Sequence, residues 1–152
     1  MDEVKIVAAN PPVFENIVNA FGVLPKGTIY TYGDTIYNPE GLYIRPEIMA
    51  HETIHMQQQE QAGGPDLWWG RYLREPEFRI DQEAKAYGMQ YRFLCDNDKG
   101  MNDRNARYRM LFFLSNILSG PLYGRAISAI DARILITKYS GVDIKCGARP
   151  KK

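Results

Sequence analysis

The sequence predicts an α+β fold, mostly helical, with one small sheet ahead of a central helix. Three observations predict it. From residue 46 to residue 139, apolar side chains recur at helical spacing and are interrupted by Pro and Gly. Residues 28–44 are instead rich in β-branched and aromatic side chains with turn residues between them. No internal repeat, low-complexity tract or linker divides the 152 residues, a length that suits a single domain.

The elements follow in order. Val4 to Ala9 is a short apolar run and reads as a strand, broken by Pro11-Pro12. Pro12 suits the first turn of a helix that places Val13, Phe14, Ile17, Val18 and Phe21 on one face and ends at Gly22. Thr28 to Tyr32 and Thr35 to Tyr37, separated by Gly33-Asp34, read as a hairpin. Leu42-Tyr43-Ile44, after the Asn38-Pro39-Glu40-Gly41 turn, is a candidate third strand. Pro46 opens a helix to about Gln61, with Glu47 near its positive end, and Gly63-Gly64-Pro65 stops it. Asp66 to Leu73 is a short aromatic segment in which Trp68 and Trp69 are expected in the core or in a lid. Pro76 begins a helix to about Cys95, with Ile80, Ala84, Tyr87, Tyr91 and Leu94 on its apolar face and Glu83 at the edge of that stripe. Asn97 to Gly100 reads as a polar loop. A helix over about 103–118 is expected to turn Tyr108, Leu111, Phe112 and Ile117 inward. A last helix over about 124–139 carries Ile127, Ile130, Ile134 and Leu135, and a basic tail follows.

Composition excludes several classes. Hydrophobic residues make up 45%, enough for a core, and 19 basic against 18 acidic residues leave a net charge of +1. That balance offers no electrostatic case for nucleic acid or an anionic membrane as partner. The apolar run from Met110 to Leu118 is broken by Ser115 and Asn116 and falls far short of the roughly 20 residues that span a bilayer. The start, Met1-Asp2-Glu3-Val4-Lys5, lacks the basic-then-apolar pattern of a signal peptide, so a cytoplasmic location is expected. Cys95 and Cys146 are accordingly expected as reduced thiols.

The chemistry concentrates at His51-Glu52-Thr53-Ile54-His55, which contains both histidines of the chain. Chance would place such a pattern in a chain of this composition about once in 1,300 trials. On a helix, positions i and i+4 lie one above the other, so two neutral imidazoles there can hold one zinc ion. Glu52 then stands beside the metal, where it can act on a bound water. A catalytic zinc needs a third protein ligand, and no histidine remains to supply it. Downstream carboxylates are Glu60, Asp66, Glu75, Glu77, Asp81 and Glu83. Glu83 is favoured. It flanks an apolar face, small Ala84 and Ala86 adjoin it, and a buried carboxylate there needs a cation.

His51-Glu52-Thr53-Ile54-His55 followed by Glu83 resembles the gluzincin clan of zinc metallopeptidases. The block Pro76-Glu77-Phe78-Arg79 through Glu83-Ala84-Lys85-Ala86-Tyr87, together with Gln58, is similar to small zincin-like proteins encoded by bacteriophages. The size resembles minigluzincins, and the resemblance covers about residues 29–91. It implies a zincin-like fold with His51, His55 and Glu83 as Zn2+ ligands and Glu52 as general base. It also implies an edge strand, from Thr35–Tyr37 or Leu42–Ile44, that pairs with an extended peptide or protein substrate. Many gluzincins carry an acidic residue four positions after the glutamate ligand, which orients a histidine. Here that position is Tyr87, which would replace that contact, steady an oxyanion or belong to the core.

Two functions follow from the resemblance. One is a zinc-dependent peptidase. The other is a non-catalytic zinc protein with a structural or interaction role, such as a phage particle component in contact with other phage proteins. The expected location is the host cytoplasm, or the virion for the second reading.

Overall fold

Backbone signals decide where the helices begin and end, and the outcome is a mostly helical α+β architecture. The computed structural model describes residues 3–143. Within them are three short strands, β1 (Lys5–Val7), β2 (Tyr30–Tyr32) and β3 (Thr35–Tyr37). Six helices accompany them: α1 (Phe14–Phe21), α2 (Pro46–Gln61), α3 (Pro65–Arg74), α4 (Pro76–Asn97), α5 (Arg104–Leu118) and α6 (Ala129–Ser140). None is long and apolar enough to cross a membrane. The basic tail and Cys146 lie outside the described residues, whereas Cys95 is a buried thiol. Backbone contacts group the chain into two compact units, residues 1–79 and 80–152, with the boundary inside α4.

The first unit holds the sheet and α1 to α3. Strand order is β1-β3-β2, with β1 parallel and β2 antiparallel to β3. The β2–β3 turn is the expected Gly33-Asp34 pair, and Gly33 takes a φ of 64°, the sign that a two-residue hairpin needs at its first central position. Helix α2 spans the residues the sequence predicts. Pro46 needs no donor at its start, and a Schellman pair closes its end, Gly64 N–H to Gln59 O at 2.9 Å and Gly63 N–H to Glu60 O at 3.1 Å. Tyr30, Ile17, Trp68, Trp69 and Tyr72 form the core of this unit. Trp68 and Trp69 are thus core residues, on a helix where the sequence shows only an aromatic segment. The Pro76-x-Phe78-Arg79 block is structural as well. The Arg71 guanidinium lies 4.0 Å above Phe78. Buried Arg79 sits 4.7 Å over Phe21 and donates to Tyr72 O at 3.2 Å.

Two strand expectations change. β3 is the central strand, flanked on both sides, so Thr35–Tyr37 provides no open edge. Leu42–Ile44 is not a strand. The Asn38 side chain holds Leu42 O at 2.6 Å, Gly41 takes a φ of 64°, and Leu42 and Tyr43 project into solvent.

The second unit packs α5 and α6 with the remainder of α4. Ile80, Ala84, Tyr87, Tyr91 and Cys95 meet Leu111, Leu114, Leu118, Ala132 and Ile136. Here the face of α5 is rotated from expectation. Tyr108 and Phe112 on α5 are 37% and 56% exposed, and Ile130 and Ile134 on α6 are 64% and 59% exposed. On α5 a continuous apolar run permits several stripes. The buried one includes Arg107, whose Nε donates to Met101 O at 2.7 Å. Helix α6 begins at Ala129, not near Gly124, because Gly124 and Arg125 both take positive φ and Ser128 then caps the helix, accepting from Asp131 N–H at 3.1 Å. Residues 97–100 run into a 3₁₀ turn, Lys99–Asn102.

Gly88 lets α6 approach α4. A Cβ there would stand 3.0 Å from Ser140 N and from Tyr139 Cβ. Gly88→Ala should therefore destabilise the protein by about 1–3 kcal/mol. Gly70, in α3, would meet Arg74 at an ordinary 3.5 Å. Gly70→Ala should stabilise by about 0.5–1 kcal/mol through helix propensity. Urea unfolding of both variants checks the opposite signs.

Candidate metal centre

His51 and His55 lie on the side of α2 that faces the interior, and both are buried together with Glu52. One helical turn separates the two rings, whose centroids are 4.8 Å apart at 77°. Their Nε2 atoms approach to 3.1 Å. With Zn–N bonds of about 2.0–2.1 Å and a tetrahedral angle, two imidazole nitrogens stand roughly 3.3 Å apart. The observed pair is thus spaced to share one such ion with little movement. Ligand atoms of His51, Glu52 and His55 all lie within 4.8 Å of one another, the one such group among the described residues. Neutral nitrogen donors with a carboxylate beside them suit zinc and other borderline divalent ions.

Neighbouring side chains hold this face. His55 Nδ1 is 2.8 Å from Gln58 Oε1, and the His55 ring packs 5.2 Å from the Trp68 ring. Trp68 stacks in turn on Tyr72, centroids 4.8 Å apart at 29°. Glu52 Oε2 accepts a long hydrogen bond, 3.4 Å, from Thr31 Oγ1. Thr31 is on β2 and is itself fixed. Its carbonyl oxygen accepts from Gln59 Nε2 at 2.8 Å and from Trp69 Nε1 at 2.9 Å. Gln59 also accepts from Gly33 N–H at 2.7 Å. One buried glutamine therefore fastens strand and turn to the motif helix, and the strand carries the hydroxyl that meets Glu52.

The structure brings His51, Glu52 and His55 together, as the motif predicts. Glu83 belongs to the second unit, where it is buried on α4. Tyr87 is a core residue of that unit, its hydroxyl 2.7 Å from that of Tyr123. Among the other carboxylates, Asp66 accepts from Tyr32 OH at 2.7 Å, Glu75 pairs with Arg71 at 3.0 Å, and Asp81 pairs with Lys85 at 2.9 Å. Gln59 follows His55 by four residues and so shares its helical face, but no sequence pattern finds Thr31. The strand residue is 21 positions from Glu52, and no local pattern marks that contact. Comparison with protein-family models, with curated proteins and with solved structures finds no match.

Gln59→Leu leaves the half-buried Gly33 N–H without its acceptor and the Thr31 carbonyl with Trp69 Nε1 as its remaining donor, and an orphaned group costs about 1–3 kcal/mol. The variant should unfold at distinctly lower urea concentration than the wild type. Unchanged stability would show that Gln59 does not fasten the hairpin.

Proposed function

We propose that the protein is a zinc-dependent peptidase in which His51, His55 and Glu83 hold the metal and Glu52 is the general base. The observation that carries this reading is the Nε2 pair at 3.1 Å with a buried carboxylate beside it. The family resemblance supplies Glu83, whose burial suits a carboxylate held by a cation. Bound zinc would supply Lewis acidity and a water of lowered pKa. Glu52 would take the proton of the attacking water and return it to the leaving amine. The Thr31 hydroxyl donates to the Glu52 carboxylate and so helps to orient it for this role. Substrates are peptides or proteins.

A second reading has one observation in its favour. His51, Glu52 and His55 are only 7%, 6% and 6% exposed, as suits a closed structural zinc site. In that reading the protein is a non-catalytic component that binds other proteins, such as those of a phage particle.

Metal analysis of the purified chain, followed by cleavage of a peptide library, separates the two. One zinc per chain is expected, lost in His55→Ala. Glu52→Gln should keep the zinc and lower cleavage by about 10²–10⁴-fold. Cleavage at wild-type rate by Glu52→Gln rejects the general base. Bound zinc without any cleavage, with a fall in thermal stability on chelation, selects the structural reading. A wild type without zinc rejects both.

A further inference from the structure

We infer that Gln58 is a positioning residue that holds His55 as its Nδ1–H tautomer and so turns the Nε2 lone pair toward His51 and a shared metal. The inference rests on the metal reading above and deepens it. An amide oxygen carries no proton and can only accept. Gln58 Oε1 stands 2.8 Å from His55 Nδ1, so the ring must provide the hydrogen at that nitrogen. A neutral imidazole has one such hydrogen, which leaves Nε2 bare. Nε2 is the atom that faces His51 Nε2 at 3.1 Å. In the metal-free protein His51 then donates into that lone pair. With metal present, both nitrogens offer lone pairs to it.

The surroundings sharpen the preference. Gln58 and His55 are both buried, at 7% and 6% exposure, so water competes little for Nδ1. The Trp68 ring lies 5.2 Å from the His55 ring and limits its reorientation. Ligating histidines usually receive this second contact from a carboxylate or a backbone carbonyl. Here the acceptor is three residues further along the same helix, on the face that positions i and i+3 share. The orienting contact therefore travels with the motif helix and needs no other element to arrive.

The test uses the full chain in metal-free form with ¹⁵N-labelled histidine. Long-range ¹⁵N–¹H spectra should show His55 as Nδ1–H in the wild type. Gln58→Leu should move it toward the Nε2–H form and weaken zinc binding by about 10–100-fold, with folding verified by circular dichroism. Gln58→Glu restores an acceptor and should keep the Nδ1–H form and bind zinc at least as tightly as wild type. A wild-type His55 protonated at Nε2 overturns the inference. So do equal losses in Gln58→Leu and Gln58→Glu, or no change in either. If the wild type binds no zinc, the metal reading fails, while the tautomers of wild type and Gln58→Leu still decide the role of Gln58.

Discussion

Two imidazole nitrogens held 3.1 Å apart in a buried setting need either a proton or a cation between them. Two bare lone pairs would repel at that distance, and two N–H groups would clash. The first unit is arranged around that requirement. The helix that carries both rings is fixed at its ends by backbone rules, a proline at its start and two glycines with φ of 94° and 132° beyond its close. Its orientation about its own axis is fixed by Trp68 against His55 and by Gln59 against the hairpin. Neither contact touches a metal, yet both decide where the nitrogens point.

Thr31 connects the sheet to this chemistry. Its backbone oxygen is held by two side chains, one from α2 and one from α3, so its position is set by three elements at once. The hydroxyl is then delivered to Glu52 with little freedom left to lose. A carboxylate in water would pay side-chain entropy to find one orientation. Here the surroundings have already removed that freedom.

The legible parts of this chain are those that local chemistry determines. Helix α2 could be bounded closely because Pro46 and Gly63-Gly64 act through backbone dihedrals and missing donors, which do not depend on tertiary context. The site pair was legible for the same reason, since i and i+4 fix a shared face wherever the helix lies. Four features were not. Helix α3 is ten residues dense in aromatics, and such a segment shows no clear period. The buried face of α5 includes an arginine and the start of α6 follows a left-handed residue at Arg125, choices a hydrophobic pattern cannot register. The central place of β3 depends on a parallel pairing with β1, some thirty residues earlier in the chain, and sequence order suggested the hairpin alone. The support of Glu52 by Thr31 is likewise non-local.

The double occupation of the Thr31 carbonyl bears on how this protein avoids the wrong company. β2 is an outer strand, and an outer strand normally offers its outward oxygens to any extended chain that drifts past. At Thr31 that oxygen already accepts from an amide and an indole, and both are buried. A neighbouring chain finds no acceptor there, so the three-residue strand cannot nucleate a continuous intermolecular ladder. The two bonds that hold the hairpin to its helix thus also serve as a guard against self-association through that margin of the sheet.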